Sequence, residues 1–558
     1  MSGFVRGAIA QTRDFKRIAN LPRRDTPEDL SERITREHAR EGGTMRLRPI
    51  QAQALHELQE TGGLFAPIRV GGGKTLLSLL APRVVRAERP LLLLPASLIE
   101  KTERERKELS KDWHLPANLR IYSYEMLGRE QSATFLDFMR PDFLILDEGH
   151  RAKNKRAGVT RRLVRYLRAH PETKVLVMSG TVLKRSIKDF AHLLTWTHKD
   201  GAPIPLEDSE LEEWSLCLDE KINPLQRVHP GALLTLAAPG DQGRNALQTA
   251  RKAFHRRLVE TPGIVSSAGD QVSCSLYLRG HVVEGNGETD RHFKTLRELW
   301  ETPDGWALTQ AVDVWRHSRE LALGFHYVWD PRPPQPWLNA RRAWAKFVRD
   351  TLAHSRSLDT ELQVANACRA GKLPRGEWDW WDGIRATFQI NPKAIWHDRA
   401  ALDWAAAWLE KEKGIAWCDH TFFARELSRL TGVPYYGPQG KDLEGNPIES
   451  AKGRPAIASV AANATGRNLQ AWSKNLITSC PPSADTWEQL LGRTHRDGQE
   501  ADQVEVDVIF SCLEHVEAWE RALADARMAQ DMLGQPQKLL LADCTIPRSP
   551  SNGARWKK

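Results

Sequence analysis

Leu64-Phe65-Ala66-Pro67-Ile68-Arg69-Val70-Gly71-Gly72-Gly73-Lys74-Thr75 is the stretch on which the reading of this chain turns. A short apolar run ends in three glycines and a lysine–threonine pair, and a helical pattern follows. Glycines let the backbone curl and point several N–H groups inward. The helix beginning near Lys74 adds the positive end of its dipole. Such a loop suits phosphate. Gly71, Gly72 and Gly73 would cradle it, Lys74 would reach its outer oxygens, and the Thr75 hydroxyl would hold Mg2+. The general phosphate-loop pattern asks for a further glycine where Ile68 stands, so one position departs from it.

Downstream, the apolar run 143–146 enters Asp147-Glu148-Gly149-His150 directly. Carboxylates at the end of an apolar strand are costly to bury unless a cation or hydrogen bonds balance them. Asp147 is the candidate Mg2+ partner, and Glu148 is placed to orient or deprotonate an attacking water. Ser179-Gly180-Thr181 follows another apolar run and reads either as a reporter on the acidic pair or as a simple turn. Near the far end comes Gln489-Leu490-Leu491-Gly492-Arg493-Thr494-His495-Arg496-Asp497-Gly498-Gln499. Arg493 and Arg496 are three apart, which on a helix puts them on one face. Guanidinium groups presented to a transferring phosphoryl group accelerate the reaction by roughly 10³- to 10⁵-fold. These elements lie far apart in the chain, so a working site requires its two halves to meet, and an ATP-driven motor is the leading reading.

The surrounding pattern predicts the architecture. From Met45 to about Thr195, short apolar runs at 64–68, 91–94, 119–122, 143–146 and 175–178 alternate with helical stretches. That is the signature of parallel strands covered on both faces, a doubly wound α/β sheet with ligands at the strand C-terminal ends. Alternation resumes near Ala400, with strands predicted at 415–418, 456–460, 475–478 and 504–509, a second sheet of the same kind. The chain therefore divides into a basic N-terminal arm (1–44), a first lobe (45–200), a largely helical insert (201–397), a second lobe (398–535) and a tail (536–558) that reads as disordered from Pro547 onward. Within the insert, 272–283 reads as strand. Thirteen of the 20 tryptophans fall between Trp300 and Trp417, either as fillers of a helical insert or as a stacking platform for bases. Trp378-Asp379-Trp380-Trp381 is the sharpest cluster, because three such rings cannot all face one small core.

Composition narrows the classes. A chain of 558 residues exceeds what one core supports and suggests two to four domains. A net charge of +9 is compatible with a phosphate-bearing partner but decides nothing alone. The cysteines contain no Cys-x-x-Cys pair, so neither a zinc knuckle nor a disulfide framework is indicated, and a reducing cytoplasm is expected. No apolar run approaches the roughly 18 residues of a membrane span, and the first residues lack the apolar segment of a signal peptide. No membrane partner is expected.

Taken in order, these elements resemble superfamily 2 helicases and translocases, most closely Swi/Snf-type DNA-dependent ATPases and their bacterial or bacteriophage relatives. Leu47-Arg48-Pro49-Ile50-Gln51 is similar to the family's Q motif, implying that Gln51 contacts adenine. The glycine loop matches motif I, although the acidic pair that usually precedes it is Ile68-Arg69 here. Leu94-Pro95-Ala96-Ser97-Leu98 resembles motif Ia and Tyr122-Ser123-Tyr124-Glu125-Met126-Leu127 motif Ib, implying nucleic-acid contacts from Pro95, Ser97 and Ser123. Asp147 to His150 resembles motif II, with Gly149 where many relatives carry Ala. Ser179-Gly180-Thr181 is similar to motif III, Ala464-Thr465-Gly466-Arg467-Asn468-Leu469-Gln470 to motif V, with Thr465 as a further nucleic-acid contact, and the stretch from Gln489 to motif VI, with Gln489 at the nucleotide. The resemblance covers roughly 45–200 and 398–530. It implies two RecA-like lobes that use ATP and Mg2+ to translocate on or remodel duplex DNA without reading sequence, in the cytoplasm (a host's, if bacteriophage-encoded). The insert 201–397 is a candidate surface for protein partners. A strand-separating DNA or RNA helicase and a nucleotide-gated DNA clamp or scaffold are the alternatives.

Overall fold

A computed structural model describes residues 8–25, 29–68, 72–155, 157–179, 186–219, 222–223, 225–266, 274–308, 310–355, 357–496, 498–534, 536–546 and 554–556. The chain forms two compact units. Unit 1 comprises Met1–Gly269, Val348–Leu373 and Arg527–Pro536; unit 2 comprises Asp270–Phe347, Pro374–Ala526 and Gln537–Lys558. The stretch 201–397, set apart in the sequence as one insert, is shared between both.

Unit 1 is built on five parallel strands: β1 (Leu64–Ala66), β2 (Pro90–Leu94), β3 (Arg120–Ser123), β4 (Phe143–Asp147) and β5 (Lys174–Met178), in the order β1-β5-β4-β2-β3. Each falls on a run expected from sequence. Successive side chains of a strand point to opposite faces, and here both faces are covered. Leu91, Leu93, Leu144, Leu146, Val175 and Val177 enter one core, whereas Leu92, Leu94, Phe143, Ile145, Leu176 and Met178 enter another. With no face left to water, β1, β2, β4 and β5 carry almost no polar residues, whereas β3, at the sheet edge, exposes Arg120 and half-buries Ile121 and Tyr122. Ile68, which stands where a phosphate loop usually has glycine, is wholly buried in the second of these cores. The N-terminal stretch, read from sequence as an arm, packs onto unit 1. Phe15 and Ile18 are buried, Arg17 donates to the carbonyls of Asp200, Ala202 and Ile204, and Arg24 pairs with Glu57.

Unit 2 repeats the architecture. Its strands are β6 (Ser275–Val282), β7 (Phe325–Trp329), β8 (Pro392–Trp396), β9 (Ile415–Cys418), β10 (Tyr435–Tyr436), β11 (Ala456–Ser459), β12 (Lys474–Ile477), β13 (Gln503–Phe510) and β14 (Asp543–Thr545). Seven of them form a parallel sheet in the order β10-β11-β9-β12-β13-β6-β14. The strand read inside the insert, β6, is a member of this sheet and matches β13 over its full length, Gln503↔Ser275 through Phe510↔Val282. β7 and β8 form a separate antiparallel pair. Alternation is two-sided again: Ile415, Trp417, Val504, Val506 and Val508 face one core, and Ala416, Cys418, Leu476 and Ile509 the other. The tail expected to be disordered is docked where it is described. Arg555 pairs with Asp290, and Trp556 is 7% exposed.

The tryptophan cluster resolves by helical geometry. On the helix Gly376–Ile384, Trp378 and Trp381 are three apart and face the helix Gln335–His354. Trp378 meets Trp344 at 5.1 Å and Trp381 meets Trp337 at 5.2 Å, both edge-to-face. Trp380 points the other way and is 47% exposed. Trp378 is buried and Trp381 half-buried against these neighbours, so the three rings do not form one exposed stacking face. No helix among the described residues is long and apolar enough to cross a membrane.

Candidate nucleotide site

In the unit 1 sheet, β1 and β4 are separated only by β5. Neighbouring strands lie about 4.8 Å apart, so the loop after β1 and the acidic pair after β4 end on the same edge, within reach of a long side chain. Lys74 spans the gap: its Nζ lies 3.2 Å from Glu148 Oε1, with both side chains largely buried. Lys74 opens the helix Lys74–Val84, and Thr75 is the second residue of that helix. Gly72 and Gly73 precede it; Gly71, with Arg69 and Val70, lies outside the described residues.

Gly73 must be glycine for two reasons. Its φ of 78° is left-handed, a region costly for any residue with a Cβ. A Cβ there would also fall 2.2 Å from the Gln51 amide nitrogen. That amide donates to the Gly73 carbonyl at 3.0 Å, and its oxygen accepts the Arg48 N–H at 2.9 Å. Gln51, expected from the resemblance at adenine, thus ties the first turn of the helix Pro49–Thr61 to the glycine loop.

The carboxylates occupy distinct environments. Burial pushes Asp147 up to about 6, against the pull of Lys74 and with the Glu148 charge adding to the rise. Burial also pushes Glu148 upward, but Lys74 and His150 together outweigh it and hold that carboxyl well below the usual range. Glu148 is itself in the left-handed region, φ 52°, a strained placement for a non-glycine residue. His150 Nδ1 lies 3.3 Å from Glu148 Oε2 and 3.0 Å from Ser179 Oγ, linking the ends of β4 and β5. Gly180 and Thr181 lie outside the described residues. The Tyr124 hydroxyl donates to the Asp147 carbonyl at 2.9 Å. Asp147 Oδ1 accepts the N–H of Glu148 at 3.0 Å. A buried carboxylate raised in this way is a suitable holder for a divalent cation, whose charge would reverse the shift.

The residues expected at nucleic acid are differently placed. Pro95 is buried and Ser97 exposed. Ser123 is 5% exposed and caps the helix Tyr124–Gly128 by accepting the Met126 N–H at 3.0 Å. Glu125 accepts the Ala96 N–H at 2.9 Å, holding the loop after β2 to the turn after β3.

In unit 2, Gln489 and Arg493 lie on the helix Ala484–Thr494. Arg496 does not: His495 leaves helical geometry (φ −85°, ψ 85°), so the two arginines do not share a helical face as their spacing suggested. They converge by another route. One terminal nitrogen of each faces the Arg467 carbonyl, at 3.0 Å from Arg493 and 3.5 Å from Arg496, and Arg496 also donates to Asn468 Oδ1 at 2.6 Å. Thr465 Oγ1 donates to Gln489 Oε1 at 3.3 Å. The loop 464–470 is thus the template for the arginine pair. Asp497 lies outside the described residues. His150, Tyr124 and Arg467 stood inside the motifs quoted from sequence but were given no role there; each acts through a tertiary contact that the motif spacing does not announce.

A glycine loop and an acidic pair on the same edge of a doubly wound parallel sheet place unit 1 in the RecA-like class of nucleotide-binding folds. Residues 93–238, about a quarter of the chain, match the family model described as the SNF2-related domain. This stretch is therefore similar to the SNF2-related domain, which supports a superfamily 2, Swi/Snf-type reading, a family that in general couples ATP hydrolysis to translocation on or remodelling of DNA. The match includes Asp147, Glu148 and Ser179; it begins after Lys74 and ends before unit 2. No curated protein matches the chain.

Proposed function

We propose that this protein is a DNA-dependent ATPase that translocates on or remodels duplex DNA without sequence specificity. The observation that carries this reading is the 3.2 Å pairing of Lys74, from the glycine loop, with Glu148 of the acidic pair. Lys74 holds Glu148 in check while no phosphate competes for the ammonium. When the β- and γ-phosphates of ATP draw Lys74 away, Glu148 is freed to accept a proton from water, with His150 keeping the carboxylate oriented. Gly71, Gly72 and Gly73 cradle the phosphates, and Gln51 reports the state of that loop to the helix Pro49–Thr61. Thr75 and Asp147 would hold Mg2+, which supplies charge neutralisation on the phosphates when bound. Arg493 and Arg496 are assigned to the charge developing on the γ-phosphoryl group, and Gln489 to the nucleotide. Pro95, Ser97, Ser123 and Thr465 mark backbone segments that contact DNA phosphates, so binding should weaken steeply with salt. The cytoplasm is the compartment that suits a chain with no Cys-x-x-Cys pair and most of its cysteines buried.

The test is the ATPase rate measured in parallel without nucleic acid and with duplex DNA, single-stranded DNA and RNA. Duplex DNA should stimulate at least as well as single strands. Lys74→Ala and Glu148→Gln should each abolish the stimulated rate while leaving the fold intact, and turnover retained in both would refute the site. A strict preference for RNA would favour a helicase. Failure of an active ATPase to displace a triplex strand would favour a static clamp.

A further inference from the structure

Away from the nucleotide site, unit 2 holds one group of side chains among the described residues with the make-up of a metal centre: Glu288, His292 and His397, whose ligand atoms all lie within 4.8 Å of one another. Glu288 and His292 are four apart on the helix Gly287–Glu298 and so project from the same face. His397 arrives immediately after β8. Its Nδ1 lies 3.3 Å from Glu288 Oε1, and His292 Nε2 lies 3.7 Å from the same oxygen. A tetrahedral ion bonded at about 2.0–2.1 Å to imidazole nitrogen and carboxylate oxygen sets its ligand atoms roughly 3.3 Å apart. The three side chains are within a few tenths of an ångström of that spacing about their common carboxylate oxygen.

Two further observations point to a ligand rather than a self-satisfied cluster. His292 Nε2 is shielded from solvent and has no hydrogen-bond partner, a state that costs free energy unless something else takes its lone pair. The other nitrogen of His397 is already engaged: Nε2 meets His326 Nδ1 at 2.9 Å, and His326 Nε2 lies 3.6 Å from Asp304 Oδ1. An imidazole hydrogen-bonded behind the third ligand, with a carboxylate facing its far side, is the kind of outer support that orients the ring in metal sites.

The backbone around the group is also held. Asn286 caps the helix Gly287–Glu298 through the N–H groups of Glu288 and Thr289, and its amide donates to the His397 carbonyl at 2.8 Å. The N–H groups of His397 and Asp398 both donate to the Gly324 carbonyl. Gly324 has a φ of 88°, and a Cβ there would meet the Asp398 carbonyl oxygen at 2.2 Å. The position of His397 is therefore set by β7, β8 and the turn ahead of them rather than by the cluster itself.

We propose that Glu288, His292 and His397 bind one divalent transition-metal ion of the Zn2+ class, with water in the fourth position, and that the ion pins the helix Gly287–Glu298 to the β7–β8 pair. Two imidazoles with one carboxylate suit Zn2+ or a neighbouring first-row ion, whereas Mg2+ and Ca2+ take oxygen ligands. This ion is distinct from the one that would accompany ATP at Asp147.

The experiment is titration of the full-length, tag-free, chelator-treated protein with Co2+ and Zn2+ in the absence of nucleotide. It is followed by metal analysis, by the visible absorption of bound Co2+ and by thermal denaturation. One equivalent should bind, Co2+ should give the intense absorption of a four-coordinate site, and Zn2+ should raise the melting temperature. Glu288→Gln changes a half-exposed side chain and leaves the fold; together with His292→Ala it should remove the stoichiometric binding. His326→Asn, behind the site, should weaken it by about 10- to 100-fold. Absence of stoichiometric binding by wild-type protein that circular dichroism shows to be folded would overturn the proposal. So would binding that survives unchanged in both Glu288→Gln and His292→Ala.

Discussion

Gly73→Ala, alone and combined with Gln51→Ala, tests how the glycine loop is held. The substitution at Gly73 forces alanine into the left-handed region (φ 78°), at a cost of about 1–2 kcal/mol. It also drives a Cβ to 2.2 Å from Gln51 Nε2, so the carboxamide must leave. Departure breaks its bond to the Gly73 carbonyl (3.0 Å) and its cap on the Arg48 N–H (2.9 Å), in a side chain only 4% exposed. Losing a buried hydrogen bond costs about 1–3 kcal/mol and a helix cap about 1 kcal/mol, so Gly73→Ala should destabilise unit 1 by about 3–6 kcal/mol. Gln51→Ala alone forfeits the same two bonds and should cost about 2–4 kcal/mol. In the double variant nothing remains to clash, and only backbone strain is added. The two effects should therefore fall short of additivity by about 2–4 kcal/mol. Urea unfolding followed by hydrogen-exchange mass spectrometry on peptides of unit 1 reads this unit apart from the other. Additivity within about 0.5 kcal/mol would show that Gln51 does not pack against the loop, and the account of Gly73 would fail.

Gly149→Ala places a Cβ 2.5 Å from Val177 Cγ1 on a stiff, fully buried side chain. It should cost about 1–3 kcal/mol in urea unfolding, most of it recovered by adding Val177→Ala; a wild-type midpoint for Gly149→Ala would refute this. Asp359 is buried against Arg162 (3.3 Å) and Arg165 (3.0 Å), so Asp359→Asn strands a buried guanidinium and should destabilise unit 1 by about 3–5 kcal/mol. Faster hydrogen exchange should appear first across Val348–Leu373, and unaltered exchange there would count against the pairing. Burial lowers His198 in unit 1 to about 4 and His515 in unit 2 to about 3, both from an ordinary 6.5. Between pH 6.5 and those values the unfolded chain binds the extra proton. Stability is thus fully present above pH 6.5 and falls as the pH drops, by about 1.4 kcal/mol per unit for each site and so about 2 kcal/mol each at pH 5. His515→Asn should flatten the acid limb of unit 2 in thermal denaturation, and an unchanged slope would exclude His515 as its source.

Four strands of the first sheet, β1, β2, β4 and β5, were legible because both their faces are buried, which leaves an apolar run as the physical signature. The same logic explains what escaped. β14 is exposed throughout, β8 alternates exposed and half-buried positions, and β10 is two residues long, so none carries such a run. Lys74 and the acidic pair could be matched because local chemistry marks each one. The arginine pair could be found but not correctly placed. The helix carrying Arg493 stops at Thr494, where His495 turns inward to the Cys274 carbonyl at 2.9 Å and meets Lys538 at 3.1 Å. Those contacts come from segments distant in sequence, and no periodicity within 489–499 could announce them. The histidine cluster shows the limit most sharply. Glu288 and His292 have the four-residue spacing that a helix turns into a shared face, but that spacing alone did not single them out in the sequence. The third ligand depends on β8, the strand whose exposed pattern hid it. A metal site whose ligands straddle a readable helix and an unreadable strand cannot be assembled from sequence, however plain each residue is by itself.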